Sequence, residues 1–231
     1  MRLSQKLIHP GKSDGEVEVI ILVLYSLMEL IKKMRRRILP YMDDIVQTME
    51  SLWTSKSPNV RLLLAELVFH SADVIQYEMK DNLTRIIQLM VQMFETLRNT
   101  QNTEERKALR QLVKAIPKLG PIHEYFNFII KPLATMLKSK YSTEELKKHI
   151  LFVLQEGIAL DSMPDYFMIL MDALLDMISI SFDGLKTARA HKVTAADSRE
   201  AYERKHVIEK STEVIKMAIH VLGLFDIFLV H

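Results

Sequence analysis

Residues 38–53 read ILPYMDDIVQTMESLW, and this stretch decides the fold. Its apolar residues recur at helical spacing, so it reads as one amphipathic helix. The layout returns three times, as LTRIIQLMVQMF at 83–94, FNFIIKPLATML at 126–137 and FMILMDALLDMI at 167–178. Aligning Val46, Ile87, Ile130 and Met171 gives steps of 41, 43 and 41 residues. Trp53, Phe94, Leu137 and Ile178 give the same steps. Repeats of about 40–47 residues are the mark of two-helix HEAT-type units. A single unit cannot bury its apolar side, so such units stack. The fold expected is all-α, a solenoid of about four to five HEAT-like antiparallel helix pairs.

Composition agrees. The apolar fraction is 48%, enough for a folded core. Only 6 Gly and 7 Pro fit long helices with short connections. The net charge of +2 supplies no electrostatic footprint for nucleic acid or an anionic membrane. With no Cys, disulfides, zinc–thiolate sites and thiol catalysis are excluded. The run at 19–28 is about half the ~20 residues that a membrane span requires. Lys216 and Asp226 interrupt the apolar run at 214–230. Both runs read as buried helices, and no transmembrane segment is expected.

The organisation expected along the chain is a lead-in at 1–15, HEAT-like repeats over 16–182, a polar inter-repeat loop or weak helix at 183–200, and a terminal helix of an incomplete repeat at 201–231. The first helix runs over 16–37, so nearly continuously apolar that neighbours should cover most of it. Pro40 opens the next helix, and Ser57-Pro58 the one after. Thr103 is placed to cap a helix that begins with Glu104-Glu105. Pro117 should bend or end that helix, and Pro132 should kink the next. Ser142 with Glu145 has capping-box spacing. The apolar end, FDIFLVH, suggests a truncated chain or a docking surface.

No catalytic, cofactor-binding or metal-ligating set emerges. Gly11-Lys12-Ser13 resembles the end of a P-loop, but Lys6 stands where its first Gly belongs. Asp43 and Asp44 are adjacent on a helix and point about 100° apart, so they do not converge. They suit the positive end of the helix dipole instead. His70, His149 and His220 lie in helical patterns without a partner at ligand spacing. The sequon at Asn82 lies in a helix whose stripe includes Leu83. The one dense charge run is Lys32, Lys33, Arg35, Arg36 and Arg37. As a helix C-terminus it complements the dipole and reads first as a solvated end. Partner docking is the functional alternative, and nuclear import or nucleic-acid contact a lesser one.

The run Ile38-Leu39-Pro40-Tyr41-Met42-Asp43-Asp44-Ile45-Val46, with Trp53 seven residues on, resembles a helix in the HEAT region of the target-of-rapamycin (TOR) kinases. There a near-identical Pro-Tyr-Met-Asp-acid-Ile-Val run is likewise followed by Trp. The likeness extends over residues 16–178, more loosely after the first motif. It implies a non-catalytic HEAT scaffold belonging to a large Ser/Thr kinase of the phosphatidylinositol-kinase-related group. The implied partners are Raptor- or Rictor-type subunits or a second TOR copy, in nutrient-responsive growth signalling. The implied location is the cytoplasm, including endomembrane peripheries as part of a TOR complex. No catalytic residue carries over, because the kinase motifs are not in this chain. A stand-alone HEAT adaptor of transport or cytoskeletal type is the alternative, and a helical enzyme a more distant one.

Overall fold

A computed structural model describes residues 14–75, 80–120, 125–158, 166–190 and 198–229. Among these the chain is all-helical, without strands. The helices are α1 (Asp14–Met34), α2 (Met42–Leu52), α3 (Pro58–Ile75), α4 (Lys80–Leu97), α5 (Thr103–Ala115), α6 (Phe126–Lys138), α7 (Glu144–Ile158), α8 (Phe167–Ala190) and α9 (Ser198–Leu229). Short 3-10 segments join α1 to α2 (Arg35–Tyr41) and follow α5 (Ile116–Lys118). None of the described helices is long and apolar enough to cross a membrane.

The chain divides into two compact units, Met1–Phe128 and Ile129–His231, with the boundary inside α6. In the first, α1 packs on α3, α3 on α5, α2 on α4 and α4 on α5. The core is set by the periodic residues. Met42, Ile45, Val46 and Met49 of α2 are buried, as are Ile86, Met90, Met93, Phe94 and Leu97 of α4. Val60, Leu64, Leu67 and Val68 line the buried side of α3, and Leu109, Leu112 and Val113 that of α5. Charge stitches the same helices. Arg61 of α3 pairs with Glu105 of α5, both mostly buried, and the Thr100 hydroxyl also donates to Glu105.

The turns show why the elements end where they do. The α1–α2 connection differs from the sequence reading: residues 38–41 are not the first turn of the long helix. They close a 3-10 segment with Pro40 inside it, and α2 starts at Met42. α5 stops before Pro117, which lacks the amide hydrogen that another turn needs. Gly120 follows at φ 111°, a conformation that favours glycine. The Tyr125 hydroxyl then donates to the Ile116 carbonyl at 2.6 Å and contacts that of Gly120 at 3.3 Å. It thereby gives the Ile116 carbonyl a second donor beside the Leu119 amide at 3.2 Å.

Two caps also moved by one residue. Asn102, not Thr103, caps α5, its Oδ1 accepting from the amides of Glu104 (2.9 Å) and Glu105 (3.2 Å). At α7 it is Thr143 whose hydroxyl accepts from the Leu146 amide at 3.2 Å. Ser142 instead donates back to the Met136 carbonyl at 2.6 Å, tying the turn to the end of α6.

In the second unit α9 packs against α7 and α8. Among its described side chains the buried ones are Ser211, Val214, Ala218 and Val221, a narrow stripe with two small residues. Val207 of the same helix is exposed. α8 buries Leu170, Ala173, Leu174 and Met177 and continues to Ala190. Residues 183–190, read from the sequence as the start of a polar inter-repeat loop or weak helix, are helical, as are 198–200. The Ala and Lys content of 183–190 supports helix without an apolar stripe, which is why periodicity passes over it. Residues 191–197 lie outside the described residues. On α6, Lys138 reaches Asp172 and Asp176 of α8, the latter at 3.0 Å. These two carboxylates, Asp172 first, raise the Lys138 pKa.

Candidate partner-contact surface

The basic run turns the corner between α1 and α2. Lys32 and Lys33 occupy the last turn of α1, where cations oppose the negative end of the dipole. Lys32 pairs with Glu29 at 2.9 Å, and this bond, with Lys33 nearby, lowers the Glu29 pKa. Arg35, Arg36 and Arg37 follow in the 3-10 segment, all three exposed. With Lys33 they form no ion pair with another described residue. The corner thus presents to solvent four cations that make no ion pair among the described residues.

Its backbone is fixed from below. Ile38 is buried, and the 3-10 segment packs on α1, α2 and α3. The Met42 amide donates to the Leu39 carbonyl, carrying the turn into α2. Arg35 has φ 48°, the left-handed region, and is the one described non-glycine residue there. For a residue with a Cβ this costs about 1–2 kcal/mol. The three guanidinium groups that follow α1 are all exposed. Tyr41, at the end of the same 3-10 segment, is also exposed.

The other sequence candidates do not gather into a site. Asp43 and Asp44 are exposed in the first turn of α2, and Asp43 accepts from Arg85 at 2.6 Å. His149 Nδ1 lies 2.6 Å from the Glu145 carbonyl in its own helix. His70 stands edge-on to Phe69, and His220 is exposed. Asn82 is buried, its Oδ1 accepting from Arg85 at 3.2 Å. Gly11-Lys12-Ser13 lies outside the described residues. Among the described residues no three His, Asp or Glu side chains group as metal ligands would.

One surface was misjudged from sequence. α1 was expected to be covered on most sides. Instead Val19 (53%), Leu22 (66%), Tyr25 (53%) and Leu30 (47%) are exposed, while Ile20, Leu24, Met28 and Ile31 are buried on the opposite side. Continuous apolarity conceals which side is inside, because no polar stripe marks the boundary. No protein-family model matches the chain, and no significant match arises among curated proteins or solved structures.

Proposed function

We propose that this chain is a non-catalytic protein-interaction scaffold of HEAT-type helix pairs, similar to the HEAT region of TOR kinases. The observation that carries the reading is the packing of alternate helices in the first unit. α1, α3 and α5 pack in succession, and α2 packs on α4. Stacked helix pairs produce this pattern, first helices forming one layer and second helices another. The repeated apolar motif falls on α2 and α4, where Val46 and Ile87, 41 residues apart, are both buried.

On this reading the protein works in the cytoplasm and supports TOR-complex assembly in growth and nutrient signalling. Its basic corner docks an acidic surface of a Raptor- or Rictor-type subunit. Backbone strain kept at Arg35, inside an exposed run of cations, favours a binding role.

The test is affinity capture from cell extract with the wild type and with Lys33, Arg35, Arg36 and Arg37 all changed to Glu. All four side chains are exposed, so helicity by circular dichroism should not change. Capture of a Raptor- or Rictor-type subunit by the wild type, and its loss in the variant, is the expected result. Unchanged capture removes the corner from the interface. A partner set without any TOR-complex subunit removes the TOR reading and leaves an adaptor of another class.

A further inference from the structure

Ser57-Pro58 is the one Ser-Pro or Thr-Pro pair in the 231-residue chain. It lies in the turn between α2 and α3, where residues 55–57 carry no regular structure and Pro58 is the first residue of α3. Arg61 shapes this turn. Its amide donates to the Ser57 carbonyl at 3.1 Å, which makes Ser57 the N-cap of α3, and its Nε donates to the Ser55 carbonyl at 2.8 Å. The Ser57 amide donates to Ser55 Oγ at 3.3 Å. The Ser57 hydroxyl, by contrast, makes no hydrogen bond among the described residues. An N-cap side chain ordinarily accepts from the second or third amide of its helix, as Asn102 does at α5 and Thr143 at α7. Here that oxygen is unused on a half-buried residue, with Lys56 and Asn59 exposed to either side of the Ser-Pro pair. The first turn of α3 also holds no acid.

We propose that Ser57 is a phosphorylation site for a proline-directed Ser/Thr protein kinase, and that the phosphate then caps α3. In the transfer Ser57 Oγ bonds to the γ-phosphorus of ATP, the bond from that phosphorus to the ADP oxygen breaks, and the hydroxyl proton leaves with ADP as the second product. A kinase of this kind selects proline after the serine, a residue with no amide hydrogen and a fixed φ. The residues before Pro58 are irregular, so a kinase cleft can take them without opening more than the first turn of α3. Once formed, the phosphate is a near-dianion with three acceptor oxygens at the positive end of an 18-residue helix whose first amides lack intrahelical acceptors. Lys56 precedes it and Arg61 follows one turn on, both cations. Arg61 keeps its Nη1 on Glu105, so the ion pair between α3 and α5 stands beside the new charge. The inference rests on the α2–α3 turn and not on the scaffold reading above.

The single Ser-Pro pair makes the test clean. The folded 231-residue chain is incubated with magnesium–ATP and a purified mitogen-activated protein kinase, which requires proline after its target. Intact mass should rise by one phosphate, and fragmentation should place it on Ser57. Ser57→Ala and Pro58→Ala should each lower incorporation by about tenfold or more while keeping wild-type helicity, since alanine is well tolerated in a first helical turn. The phosphorylated chain should melt about 2 °C or more above the unmodified one, and phosphatase treatment should return it to the starting midpoint. Raising salt to about 0.5 M should shrink the gain, because the capping is electrostatic. A synthetic peptide of residues 51–64 reports whether the bare sequence is a substrate. Labelling of the peptide without labelling of the folded chain, or of neither, would overturn the proposal. So would incorporation that survives Ser57→Ala, or a midpoint that stays level or falls on phosphorylation.

Discussion

Arg85 of α4 grips Glu50 of α2 with both sides of its fork, Nε donating to Oε1 at 2.8 Å and Nη2 to Oε2 at 2.5 Å. Nη1 turns to Asp43 of α2 and Asn82 of its own helix. One guanidinium thus spans the first turn and the last turn of α2. Arg85→Lys keeps the charge but loses the two-pronged geometry. Both side chains are about one-third exposed, so solvent screening limits the cost to about 1 kcal/mol. Urea unfolding should show a lower midpoint at an unchanged slope; an unchanged midpoint would show that the fork contributes nothing.

The same pair makes stability depend on pH. The Arg85 hydrogen bond, opposed by burial, holds the Glu50 carboxyl below its ordinary range. A carboxyl that is more acidic in the folded state stabilises the protein above its unfolded pKa of about 4.3. That contribution is lost as pH falls through the folded value, because the unfolded chain takes up the proton first. Glu50→Gln should therefore be less stable than the wild type at neutral pH, and the gap should close below about pH 4. Unfolding midpoints across that range measure it; a constant gap would place the cause elsewhere.

Trp53 closes the apolar stripe of α2 and is buried, yet its indole N–H has no partner among the described residues. Trp53→Ala leaves a cavity and should cost about 3–5 kcal/mol. Trp53→Phe keeps the ring volume in part and removes the unsatisfied donor, so its cost should stay under about 1.5 kcal/mol. Circular dichroism melts compare the two, since both variants lack the chain's single Trp fluorophore. Equal losses would show that the N–H is bonded in solution.

Asn102 and Thr103 are neighbours with unequal roles. Asn102→Ala removes the acceptor of two α5 amides and should destabilise by about 1 kcal/mol. Thr103→Ala, at an exposed first-turn position, should stay within about 0.5 kcal/mol. The reverse order in chemical unfolding would return the cap to Thr103.

Local chemistry was readable where the signal was local. Pro117 ended α5, the helical spacing over 83–94 matched the buried Ile86, Ile87, Met90 and Phe94, and the basic run lay exposed at the end of α1. The reading failed where two neighbours compete for one role. Thr103 and Asn102 are both competent caps, and only the entry angle of the chain selects between them. The Arg85 network was missed because a fork between helices leaves no spacing rule in one helix. Arg85 and Glu50 are 35 residues apart. An Asp and a Glu seven residues apart on one helix face, with an Arg one repeat later, was the available signal.

Helical character, the core stripes of α2 and α4 and the place of the cationic cluster are all legible along the chain. These follow from periodicity and charge, which act over a few turns of chain. Which side of α1 is buried, the positive φ of Arg35 and the pairing of helices across the first unit emerge from packing instead. A uniformly apolar helix can bury either side at similar gain in transferred area. The choice falls to the partner whose side chains interlock with it, here α3 against Ile20, Leu24, Met28 and Ile31. That complementarity belongs to two segments jointly, so neither segment's sequence contains it alone.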